Sequence, residues 1–65
     1  MKLYIGKDTL TPVYYERRKS WYIFKNGREV LYDEHNVWME FDTEKEAEEC
    51  LEKLANHYDY AWLLP

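Results

Sequence analysis

The clearest pattern along the chain lies in its second half, where Ala47, Cys50, Leu51, Leu54, Ala55 and Tyr58 recur at i, i+3, i+4, i+7, i+8 and i+11. That spacing lays one apolar stripe along about four turns of α-helix. Thr43-Glu44-Lys45-Glu46 stands just ahead of the stripe and has the form of a capping box. In that motif Thr43 accepts from the third helical N–H and Glu46 reaches back to the cap. Asp42, Glu44 and Glu46 complement the positive end of the helix dipole. Glu49 and Lys53 add a favourable pair one turn apart, whereas Glu48 and Glu52 repel.

Upstream of residue 42 the period drops to two. Lys25-Asn26-Gly27-Arg28 predicts a two-residue type I′ hairpin turn, because both central residues tolerate positive φ. The turn joins residues 21–25 to residues 28–32. Two-residue geometry pairs Phe24 with Glu29, Ile23 with Val30, Tyr22 with Leu31 and Trp21 with Tyr32. Alternation then places Trp21, Ile23, Val30 and Tyr32 on one face, the expected core side, and Tyr22, Phe24, Glu29 and Leu31 on the other. Ahead of the hairpin, residues 13–17 read as a strand opened by Pro12. Residues 3–5 read as a short strand ended by Gly6 and a polar loop over 7–11. Beyond the hairpin, residues 33–36 form a turn. Residues 37–41 alternate as a further strand, with Val37, Met39 and Phe41 on one side. Residues 60–64 read as a last short strand or as a tail packed over the sheet.

These elements predict one α+β domain over residues 1–65: a small antiparallel sheet of three to five strands in meander order, with one C-terminal α-helix packed on one face. Composition decides what must hold it together. With a single cysteine, Cys50, no intramolecular disulfide forms, and no Cys/His set has zinc-finger spacing. Apolar packing therefore carries the stability of a thin core, helped by pairing between copies. The 46% of hydrophobic residues suits that demand. No apolar run approaches the roughly 18 residues of a membrane span. The apolar part of residues 1–7 is too short for a signal peptide. A reduced, cytoplasmic setting without a membrane partner is the expectation.

The net charge of −4 hides a segregation. Residues 1–28 hold seven Lys/Arg and two acids, net +5, and residues 29–65 hold two Lys and eleven acids, net −9. Either the two halves face each other and cancel, or one of them faces an electrostatic partner.

Catalysis finds little support. The chain carries no Gly-rich phosphate loop and no nucleophile elbow. Cys50 lies in the apolar stripe beside Glu46, Glu48 and Glu49, the opposite of the electropositive setting that activates a thiol. It reads as a structural thiol. Asp33, Glu34 and His35 follow one another on a turn and do not converge on a metal. His57 suits the negative end of the helix dipole. No catalytic residue, metal or cofactor is expected, and the chain does not read as an enzyme.

Binding is the stronger reading. One helix covers one side of a small sheet, and twelve aromatic residues, each worth about 150–250 Å² when enclosed, exceed what so small a core can hold. Some of Tyr14, Tyr22, Phe24, Leu31 and Trp38 are therefore expected open on the uncovered face, with Tyr22, Phe24, Leu31 and Trp38 as the contact patch. Glu44, Glu48 and Glu52 form an acidic strip one turn apart, suited to a protein's basic groove. The partner expected is another protein or a second copy of the chain. Size and charge together resemble small acidic phage-type inhibitors of nucleic-acid enzymes, a likeness that implies an inhibitor or regulator acting by binding. The alternative is a nucleic-acid-binding module. It would use Arg17, Arg18 and Lys19, with Lys25 and Arg28 beside the Asn-Gly turn, for phosphates, and neighbouring aromatics for stacking. A pI of about 5.0 weighs against it, since such domains usually exceed 9.

Overall fold

Short connections dictate the order of the sheet. Only Gly6 and Lys7 separate Ile5 from its partner Asp8, and Gly6 takes the positive φ (59°) that such a tight turn needs at its first position. The computed structural model describes all residues, Met1–Pro65. Its strands are β1 (Lys2–Ile5), β2 (Asp8–Tyr15), β3 (Ser20–Lys25), β4 (Glu29–Val30) and β5 (Ala61–Leu64), with helix α1 (Glu44–His57) between β4 and β5. They form one antiparallel sheet in the order β4-β3-β2-β1-β5, an α+β arrangement with the helix on one face. The first four strands are a meander. Residues 60–64 do not fold over the sheet but enter it as β5, beside β1.

At the Asn-Gly turn the type is as read, but the register is not. Asn26 and Gly27 take φ of 55° and 72°, and the Arg28 N–H donates to the Lys25 carbonyl at 3.2 Å. Yet Lys25 pairs with Glu29 and Phe24 with Val30, and the Leu31 N–H donates to the Ile23 carbonyl at 2.9 Å. Arg28 is thus an extra residue on the returning side, and a one-residue offset turns every following side chain to the other face. Leu31 joins Ile23 on the helix side, Val30 joins Phe24 on the open side, and Tyr32 is left exposed. The turn is held from outside the hairpin. The Asn26 N–H donates to the Thr9 carbonyl (2.8 Å), its Oδ1 accepts from the Thr9 N–H (2.9 Å), and its Nδ2 donates to Asp8 Oδ1 (3.0 Å). A Cβ at Gly27 would meet nothing within 4 Å, so Gly27→Val suffers only from its backbone conformation. A loss of about 1–2 kcal/mol is expected, read as a lower urea midpoint at unchanged m-value.

Residues 31–41 leave the sheet edge and return to it. Tyr32 and Trp38 form an isolated bridge, and the Met39 N–H donates to the Leu31 carbonyl (3.0 Å). Asp33 Oδ1 closes the tip by accepting from the N–H groups of His35 (2.8 Å) and Val37 (3.1 Å). Phe41 then exchanges both backbone hydrogen bonds with Trp21, at 2.8 and 2.9 Å. The strand expected over 37–41 is therefore the returning arm of a looped excursion that rejoins the sheet only at the Phe41–Trp21 bridge. The polar loop expected over 7–11 is mostly strand, because Leu10 pairs with Leu3 and enters the core. Pro12 lies inside β2 rather than at its start. It pairs with Ile23 on one side, while β1 meets β2 only at residues 8–10, so its missing N–H is tolerated.

Leu3, Leu10, Ile23, Ala47 and Leu51 form the buried core between sheet and helix, ringed by Trp21, Leu31, Phe41, Leu54 and Leu63. At the helix start, Thr43 Oγ1 accepts from the Glu46 N–H at 3.2 Å. The Glu46 carboxylate meets the Thr43 hydroxyl (3.3 Å) rather than its backbone N–H. The helix ends at His57, and Tyr58 is already extended (φ −120°), one position short of the apolar stripe. No helix is long and apolar enough to cross a membrane.

Candidate functional site

The sheet face turned away from α1 is built in rows set by register. Trp62, Tyr4 and Thr9 lie side by side across β5, β1 and β2. Leu64 and Lys2 lie in the next row. Across β2, β3 and β4 run Thr11, Phe24 and Val30, then Val13 beside Tyr22, then Tyr15 beside Ser20.

The excursion of residues 31–41 closes one end of this face. Tyr22 is wholly buried. Its ring meets Trp38 edge-on at 5.6 Å and Tyr15 at 6.1 Å, and its hydroxyl donates to Glu40 Oε1 at 2.6 Å. The Arg18 guanidinium lies 4.8 Å from the Trp38 ring centre and 5.9 Å from that of Tyr22. The hydrogen bond to Glu40, then burial, then the charge of Glu40 raise the Tyr22 phenol above its ordinary 10.0, against a lowering by Arg18. Tyr22 is thus the centre of a second small core, not the exposed contact residue that alternation in residues 21–25 led one to expect, because residues 31–41 cover it. Leu31 is likewise lost to the patch, since it packs on the helix side. Phe24 stays on the open face half-buried, and Trp38 remains 40% exposed. Alternation over 37–41 already placed Trp38 and Glu40 on one side. The missing information was that this side folds onto Tyr22.

The other end of the face is uncovered. Trp62 is 69% exposed, Leu64 45% and Tyr4 36%, and with Gly6 they line a depression of about 400 Å³. Tyr4 and Trp62 stand 6.5 Å apart, centre to centre. None of the three was among the residues singled out from sequence. The signal was present nonetheless: alternation in residues 3–5 and 60–64 turns Tyr4, Trp62 and Leu64 one way while Leu3, Ile5, Ala61 and Leu63 turn into the core.

Charge is partly cancelled and partly sorted. Lys25 lies within 3.9 Å of both Asp8 and Glu29, and Glu48 lies within 3.9 Å of the Met1 ammonium. Glu44 and Glu52 are exposed on the helix. Arg17, Arg18 and Lys19 form no ion pair and gather at the β2–β3 turn, whereas Lys25 and Arg28 sit at the opposite end of β3. Six residues of strand put the two basic clusters on the order of 20 Å apart, so they do not merge into one patch. Arg17, Arg18, Asn36, Val37 and Trp38 border a second, larger depression of about 670 Å³.

Reactive groups are not assembled at either place. Burial pushes the Cys50 thiol up, against a lowering by Lys53, which disfavours the thiolate. No three His, Cys, Asp or Glu side chains come together where they could hold a metal. No protein-family model matches this chain, and no curated protein or solved structure matches it.

Proposed function

We propose that this domain acts by binding another protein, as a small inhibitor or regulator, through the uncovered sheet face centred on Tyr4, Trp62 and Leu64. The observation that carries the reading is Trp62: a tryptophan 69% exposed, beside two other exposed apolar side chains, at the end of the sheet face that nothing in the chain covers. Such clusters mark contact surfaces, and Tyr and Trp dominate interface energetics. The exposed acidic residues Glu44 and Glu52 lie on the opposite, helical side and steer a basic partner rather than contact it. A cytoplasmic setting suits a chain whose one cysteine is half-buried and unpaired.

The test is the Tyr4→Ser/Trp62→Ser variant in a pull-down from the source organism's lysate. Circular dichroism should be unchanged, and partners retained by the parent should be lost. Identical retention by parent and variant refutes the reading. A second reading, nucleic-acid binding, is favoured by the three uncompensated cations Arg17, Arg18 and Lys19 beside the exposed Trp38. It requires labelled single-stranded DNA to bind with a log–log salt slope of about −2, the value for three phosphates. Arg17→Ala/Lys19→Ala should flatten that slope.

A further inference from the structure

The two edges of the sheet are built differently. At the β4 edge the strand is two residues long and carries Glu29, and the returning Phe41 covers β3 beyond it. These are the usual means of blocking an edge: brevity, charge and a covering segment. The β5 edge has none of them. Ala61, Trp62, Leu63 and Leu64 are uncharged, β5 pairs with β1 alone, and of the backbone groups on its outer edge only the Ala61 N–H has a partner in the chain, the Tyr58 carbonyl at 3.4 Å.

We propose that β5 pairs antiparallel with β5 of a second copy of this chain, about a two-fold axis at Trp62, joining two sheets into one of ten strands. This rests on the reading of the Trp62 face as a contact surface: the pairing occupies the strand edge beside that face and joins two copies of it. The occupant must present an extended, apolar strand. β5 of another copy is already extended, so pairing needs no folding of a disordered segment.

The axis at Trp62 makes the strand self-complementary. Trp62 faces Trp62 of the other copy, and Ala61 faces Leu63. Residues directly opposite in an antiparallel pair project to the same side. Both helices therefore lie on one side of the joined sheet and both Trp62 patches on the other. No charged side chain falls within the four residues of β5. An axis one residue later would bring Pro65, which lacks an N–H, opposite Ala61. Trp62 (69% exposed) leaves on the order of 100–170 Å² to be covered. With the strand edges, this falls short of the roughly 800 Å² per partner of a standard stable interface, so the dimer is reversible. Each copy carries −4, so added salt strengthens the association, the reverse of nucleic-acid binding.

Sedimentation equilibrium of the full chain tests this. The parent should show a concentration-dependent dimer, tightened by salt. Trp62→Lys and Trp62→Glu should each weaken self-association at least about tenfold, with unchanged circular dichroism. Mixing the two variants one to one should restore a dimer, because residue 62 meets its own copy across the axis. A parent that stays monomeric up to roughly 1 mM overturns the proposal, as do single variants that dimerise like the parent, or a mixture that stays monomeric. A monomeric parent whose partner capture still depends on Tyr4 and Trp62 would sink the dimer and leave the binding reading standing. Capture indifferent to those residues, from a dimeric parent, would do the reverse for a foreign partner.

Discussion

Replacing Tyr22 with Ser is expected to unfold the domain at 25 °C. A 65-residue chain has about 3–10 kcal/mol of stability in total. Truncating a fully buried aromatic costs about 3–5 kcal/mol. The loss would also strip Trp38 and Tyr15 of the ring they pack on and Glu40 of its donor. Far-ultraviolet circular dichroism and urea titration read the outcome. A variant that keeps the parent's midpoint would show that Tyr22 is not the centre of a second core. Tyr22→Phe separates the hydroxyl from the ring and should cost only about 1 kcal/mol at neutral pH.

The same pair gives a pH dependence with a definite sign. The folded-state pKa of Tyr22 lies above the ordinary 10.0, so the folded protein holds the proton more tightly than the unfolded chain. That contribution is complete below pH 10 and is lost as pH rises through the higher folded value. Stability of the parent should therefore fall above pH 10 more steeply than that of Tyr22→Phe. Equal slopes in the two proteins would dismiss the Glu40 hydrogen bond as the cause.

The second large effect is expected at Leu51. It is fully buried where α1 meets Leu3, Leu10 and Ile23. Leu51→Ala should cost about 2–5 kcal/mol through lost transfer energy and the cavity left behind. Against so small a total, that leaves a partly or wholly unfolded population at 25 °C. Glu48→Ala is the control one turn minus one residue away. It loses only a long, partly buried contact at 3.9 Å with the chain's ammonium terminus, worth under about 1 kcal/mol. Thermal unfolding of the two variants checks the helix phase. A Glu48 variant that melts lower than the Leu51 variant would rotate the buried stripe away from where Ala47 and Leu51 now place it.

Much of the architecture is local and so was legible in the residues. The stripe from Ala47 to Ala55, the Thr43 cap, the positive φ at Asn26 and Gly27, and the alternation in β3 each depend on neighbours within a few positions. Local propensity and periodicity act over that range. From them follow the helix, the hairpin and the α+β class with one helix on one face.

What only tertiary structure decided are the matters in which distant segments compete for the same surface. Arg28 is an extra residue because Asn26 is clamped by Asp8 and Thr9 from another strand, and no local rule sees that clamp. The resulting one-residue offset moved Leu31 into the core. The folding back of residues 31–41 enclosed Tyr22. Residues 60–64 had two apolar destinations of similar merit, and pairing with β1 satisfied backbone groups that a tail lying on the face would have left open. That choice uncovered Trp62 and moved the candidate surface from the β3 hairpin to the β1–β5 edge. Composition already showed that aromatic side chains outnumber the interior places for them. Which of them stay outside is set by long-range pairing, through strand register and edge order.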